Sequence, residues 1–190
     1  AQFGLVNDHT NKEGFVVSSD SDWAGLYSTT GETRSRSGSC ITLDGMPISW
    51  GSQHQKCVGT SYKEGLDEAE VAQSSAEGEL YAAADALKLA LHMSYVADEL
   101  NIPMPSPLIM LVDATAAIGK IQGPRGGGKL KHIGLRQDWI KLLKNRKIVE
   151  VVKVPGEANP ADCFTKILGR VAFNKSESEL MGRIDGEGRK

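Results

Sequence analysis

Short apolar runs bounded by turn residues open the chain, and longer segments with helical spacing follow them. Residues 14–22, 35–44 and 47–54 read as three strands, the last two joined by the turn dipeptide Asp44-Gly45. Residues 56–73 are polar, carry Gly59 and Gly65, and read as a loop. From about 74 to 100 the spacing becomes helical. Leu80, Ala84, Leu87 and Leu91 make one apolar stripe. Glu79, Ala83, Ala86 and Ala90 make a neighbouring stripe of small residues, suited to close packing on a sheet. Ser74-Ser75-Ala76-Glu77 has the form of a capping box, in which the serine and the glutamate three places on satisfy free amides. Glu77 falls roughly 160° around the helix from Glu79. Glu77 is therefore expected to be a solvent-side cap and Glu79 an acid aimed at the sheet.

Pro103, Pro105 and Pro107 stop this helix. A strand at 108–113, a short helix at 114–122 and a glycine-rich loop at 123–128 come next. A helical pattern at 132–146 and a strand at 148–154 complete the run, and Asn159-Pro160 starts a short terminal helix. The polar stretch from Gly169 is expected to fray. This order predicts an α/β fold: a mixed five-stranded sheet, three antiparallel strands then two parallel ones, flanked by helices. The expected organisation is a leader or linker at 1–13, one domain at 14–168 and a polar tail at 169–190.

Composition narrows the function classes. The 190 residues are 40% hydrophobic and 24% charged, ordinary values for one globular domain. No run approaches the length of a membrane span, and no basic-then-apolar signal segment opens the chain. The first residue is Ala1, as in a fragment or processed piece of something longer. Cys40, Cys57 and Cys163 have no metal spacing and cannot all pair, so the expected setting is intracellular, a cytoplasmic particle or the nucleus, and not secreted. A net charge of −2 argues against a general polyanion binder. Contacts to nucleic acid must come from local basic stretches, with Arg34, Arg36, Lys129, Lys131, His132 and Arg136 as candidates.

The candidate chemistry is acidic. Asp20 ends the apolar run Phe15-Val16-Val17-Ser18-Ser19, Glu79 lies in the first turns of the long helix, Asp113 ends the strand at 108–113, and Asp162 follows the last strand. In the predicted sheet Asp20 and Asp113 lie at the ends of adjacent central strands, where ligand sites of open α/β sheets form. Clustered carboxylates repel one another unless a cation neutralises them, and hard oxygen ligands select magnesium or manganese. Each acid also has a plainer reading. Asp20 can be a polar strand end, Asp113 a helix cap, and Asp162 an acid at a helix start. His132 reads more simply as a packing residue at a helix start than as a phosphate contact. His54 and His92 read as surface residues, and Trp23, Trp50 and Trp139 as packing residues rather than base-stacking platforms, with the stacking reading kept open for Trp23 beside the acids. Gly123 to Lys129 has the spacing of a phosphate loop, but Leu130 stands where that motif needs Ser or Thr, and the segment follows a helix.

Six short pieces in order carry a resemblance. They are Ser19-Asp20-Ser21-Asp22-Trp23-Ala24-Gly25, Thr33-Arg34-Ser35-Arg36-Ser37-Gly38, Pro47-Ile48-Ser49-Trp50 and Glu77-Gly78-Glu79-Leu80-Tyr81-Ala82. The last two are Lys131-His132-Ile133-Gly134-Leu135-Arg136 and Val154-Pro155, running on to Ala161-Asp162-Cys163-Phe164-Thr165-Lys166. Over roughly residues 14–168 the chain resembles ribonuclease H, and in local wording the ribonuclease H domain of copia-type retrotransposon polyproteins. The resemblance implies a ribonuclease H-like sheet and hydrolysis of the RNA strand of RNA–DNA hybrids during reverse transcription. It also implies two Mg2+ ions, replaceable by Mn2+, at Asp20, Glu79, Asp113 and Asp162, and a reverse transcriptase domain of the same polyprotein as partner, with no membrane. The mobile histidine that many cellular ribonucleases H carry before the last acid is absent, as it is in copia-type domains, and Val154-Pro155-Gly156 occupies its place. Two rival readings are a non-catalytic module that holds hybrids or braces a polymerase, and a transposase or integrase. In the latter the acidic triad ends on glutamate, whereas Glu79 here precedes Asp113.

Overall fold

The turn at Asp44-Gly45 sets the first hairpin. Both residues have positive φ, 48° and 80°, the primed-turn geometry that matches strand twist in a two-residue loop. It joins β2 (Arg36–Leu43) to β3 (Met46–His54), which pair antiparallel. Their register slips between Ile41 and Thr42, where Thr42 faces Pro47. Proline lacks an N–H, and on this edge strand the bulge accommodates it. A computed structural model describes residues 14–22, 35–55, 75–123 and 131–181.

β1 (Phe15–Asp22) pairs antiparallel with β2 and parallel with β4 (Leu108–Val112). β5 (Val149–Lys153) adds parallel to β4, giving the order β3-β2-β1-β4-β5. The predicted mixed five-stranded sheet is the one observed. Between β3 and β4 runs α1 (Ser75–Glu99), and α2 (Thr115–Gln122) and α3 (Lys131–Asn145) connect β4 to β5. Asn101, at φ 56°, ends α1, and the Ile102 amide donates to the Ala97 carbonyl at 2.8 Å, a left-handed cap that asparagine tolerates.

Leu80, Ala84 and Leu87 are buried along with Ala83, Ala86 and Ala90. Both predicted stripes of α1 therefore face the core, with Val17, Ile41, Met110 and Val112 supplied by the central strands. Ile121 from α2 and Ile140 from α3 close it. Trp139 packs against this core, as expected, and Trp23 lies outside the described residues.

Four expectations are corrected. Glu77 is not on the solvent side: it is buried, like Glu79, because the start of α1 is enclosed and Gln55, just past β3, donates to the Gly78 carbonyl at 2.9 Å. Trp50 is exposed rather than packed, since it sits on edge strand β3 with Met46 and Ile48, which are also exposed. The segment after β5 forms two short 3₁₀ turns, Gly156–Ala158 and Asp162–Phe164, rather than a helix. Finally, Arg170–Met181 forms a helix, α4, where fraying was expected, and it touches β3.

Candidate metal centre

Ser18 on β1 is the partner of Leu111 on β4 in the parallel register. Asp20 and Asp113 each stand two residues further along their own chain, so a period of two places them on the same face at the same edge. Asp113 is not a helix cap: Ala114 holds the cap position of α2 and makes no side-chain capping bond. α1 supplies the third acid, because Gly78 lets its first turn come close to β1. A Cβ at Gly78 would lie 2.5 Å from the Ser21 hydroxyl. One carboxylate oxygen from each of Asp20, Glu79 and Asp113 lies within 4.8 Å of the others.

The electrostatics of this cluster are unfavourable as they stand. Burial raises the Glu79 carboxyl to about 8, and the charges of Asp20 and Asp113 push the same way against a hydrogen bond from the Ser21 backbone. Glu79 Oε2 is buried without a hydrogen-bond partner among the described residues. Asp20 is also raised, by burial first, although the Thr165 hydroxyl and the Lys166 charge oppose the shift. Burial depresses the Lys166 ammonium, but its hydrogen bond to Asp162 and the charges of Asp20, Asp162 and Asp113 outweigh that and raise it. Three hard oxygen donors, one of them orphaned, suit a hard divalent cation better than they suit one another.

Asp162 is outside the group that meets within 4.8 Å, yet near enough for its charge to raise Asp20 as well. It opens the second 3₁₀ turn, and its carboxylate is engaged by Lys166. The turn itself is anchored at the sheet. Asn159 Nδ2 donates to the Ser19 carbonyl at 2.9 Å, while its Oδ1 accepts from the Ala161 amide at 3.1 Å. Thr165 then donates its hydroxyl to Asp20 Oδ2. Neither Asn159 nor Thr165 is recognisable from spacing as a site residue; the only signal is that Thr165 and Lys166 close the motif containing Asp162.

Of the basic candidates, Arg36 stands opposite Asp22, two residues beyond Asp20 on β1. Arg36 lies on β2, within 3.4 Å of the Ser52 hydroxyl and 3.5 Å of a His54 ring nitrogen. Arg136 stacks over the Tyr81 ring at 4.3 Å, a cation–π contact between α3 and α1. Lys131 and His132 begin α3, and Arg34 and Lys129 lie outside the described residues.

An open sheet of this order, with acids from its two central strands meeting one from the intervening helix, is a ribonuclease H fold. Superposition agrees. The fold covers 86% of this chain and 98% of the LC11 ribonuclease H1 isolated from compost by a metagenomic approach, at a TM-score of 0.50 and 17% identity. In sequence the chain is homologous to retrovirus-related Pol polyproteins of plant transposons. It is 29% identical over 163 residues to that of transposon TNT 1-94 from Nicotiana tabacum, and 30% identical over 162 residues to that of transposon RE2 from Arabidopsis thaliana. These matches cover 86% and 85% of the chain but only 11% and 10% of the polyproteins. No protein-family profile matches the chain.

Proposed function

We propose that this domain hydrolyses the RNA strand of RNA–DNA hybrids, as one part of a retrotransposon polyprotein. The observation that carries the reading is the meeting of Asp20, Glu79 and Asp113 within 4.8 Å, two of them buried. The ribonuclease H fold and the Pol polyprotein relatives support it. Divalent ions held there, Mg2+ or Mn2+, would supply an activated water and charge neutralisation at the scissile phosphate.

The chain's own contribution is preorganisation. β1 and β4 fix Asp20 and Asp113 in register, and α1 brings Glu79 against them. Glu79 carries a proton up to about pH 8 in the metal-free protein, so cation binding at neutral pH releases one. Lys166 keeps its ammonium beside Asp162, at the margin of the cluster. The reverse transcriptase domain of the same polyprotein is the proposed partner, and an intracellular particle or the nucleus the proposed location. No helix among the described residues is long and apolar enough to cross a membrane.

A labelled hybrid incubated with Mg2+ and with wild type, Asp20→Asn or Glu79→Gln tests the reading. Cleavage by wild type that both substitutions remove is expected. Equal, negligible signal from all three would instead support a hybrid-binding or polymerase-bracing module.

A further inference from the structure

We infer that Thr165 is a positioning residue for Asp20: its hydroxyl orients the buried carboxylate so that it can share a cation with Glu79 and Asp113. The inference rests on the metal-centre reading given above and deepens it. Thr165 and Asp20 are 3% and 2% exposed, 145 residues apart in the chain, and joined by a hydrogen bond from Thr165 Oγ1 to Asp20 Oδ2. An aspartate on a strand has two free side-chain torsions. A buried donor to one oxygen removes that freedom and leaves the other oxygen for a cation.

The turn that carries the donor is itself held against β1 and β2. Asn159 bonds the Ser19 carbonyl, one residue before Asp20. On the neighbouring strand Gly38, directly opposite Asp20 in the register, leaves room for the turn. A Cβ at Gly38 would lie 2.7 Å from the Ala161 carbonyl oxygen and 2.8 Å from Thr165 Cγ2. The backbone at Ala161 cannot step aside as a flexible side chain would. Ser19, Gly38 and Asp20 thus form a seat for the turn, and the Thr165 hydroxyl, 3.1 Å from the Asp162 carbonyl oxygen of its own turn, reaches from it to the Asp20 carboxylate. The second acid of this segment, Asp162, is turned to Lys166 instead. Partners of this kind, behind metal-binding carboxylates, orient them and tune their affinity.

The test is calorimetric titration of Mn2+ into wild type, Thr165→Val and Thr165→Ser, with melting in EDTA as the folding control. Valine keeps the shape and removes the donor; serine keeps the donor. Thr165→Val is expected to weaken Mn2+ binding by about 10- to 100-fold, and Thr165→Ser to restore most of it. Wild-type affinity in Thr165→Val overturns the inference while leaving the metal centre intact, and so does a Thr165→Ser protein as weak as Thr165→Val. A wild type that binds no Mn2+ overturns the metal centre and the inference together. Should Thr165→Val fail to melt cooperatively, Gly38→Ala displaces the turn with the hydroxyl retained. Weakened Mn2+ binding is then expected, and unchanged binding refutes the role.

Discussion

The two halves of β1 are buried to the same degree with opposite consequences. Phe15 and Val17 are 1% and 0% exposed, set among Ile41, Leu87 and Met110, and removing such surface from water favours folding by about 25 cal/mol per Å². Ser19 and Asp20, a few residues on, are 0% and 2% exposed. There the Ser19 hydroxyl lacks a partner among the described residues, and Asp20 is an acid raised by its own burial. Unpartnered polar groups and desolvated charges destabilise a fold. The apolar half therefore holds the polar half in place, and the contrast teaches that burial at the acid-bearing edge is a cost borne for a site.

Neutralising the polar half should break that contrast most visibly. Asp20→Asn and Glu79→Gln are expected to drop hybrid cleavage to background in a gel assay. Both should also raise the melting temperature in EDTA above the Glu79 pKa, since mutual repulsion is relieved. A variant that melts lower than wild type under those conditions would show that the cluster stabilises the fold. On the apolar side, Leu87→Ala is expected to cost about 2–5 kcal/mol in denaturant unfolding, with Mn2+ affinity of the folded protein kept.

The pH response sharpens the same point. In an unfolded chain Glu79 titrates near 4.5, and in the fold near about 8. Below the lower value both states are protonated and the metal-free fold has its full stability. As pH rises towards the upper value the unfolded chain gives up the proton first, and stability falls by on the order of a few kcal/mol. Asp20, also raised, adds in the same direction. Melting temperatures in EDTA across this range should decline, and saturating Mg2+ should flatten the decline; a level profile in EDTA would contradict the buried-acid account. Gly38→Ala should lower stability by about 1–3 kcal/mol through overpacking against the 3₁₀ turn. The smallest effect belongs to Trp50→Ser, within about 0.5 kcal/mol by the same unfolding measurement, because Trp50 is 57% exposed.

Much of this was legible along the chain. The stripes at Leu80, Ala84 and Leu87 and at Ala83, Ala86 and Ala90 identified the sheet-facing side of α1, and Asp44-Gly45 identified the hairpin. Glu79 followed from the same angular arithmetic. That arithmetic failed at Glu77, two residues earlier, because periodicity reports one covered face while the start of α1 is enclosed by Gln55 as well. Trp50 was misread since an aromatic in a strand pattern does not reveal whether its strand is central or at the edge. α4 was missed because its polar sequence shows no apolar face.

Local sequence determined the order of strands and helices, and with them which four acids were worth watching, since backbone geometry turns the spacing of apolar residues directly into faces. Only the packed structure decided that Asp20, Glu79 and Asp113 meet while Asp162 turns to Lys166. It alone also showed that Thr165, 145 residues from Asp20, is the group that touches it. Contacts between distant segments depend on strand register and on the room that Gly38 and Gly78 leave, and neither is written in the spacing of any one segment.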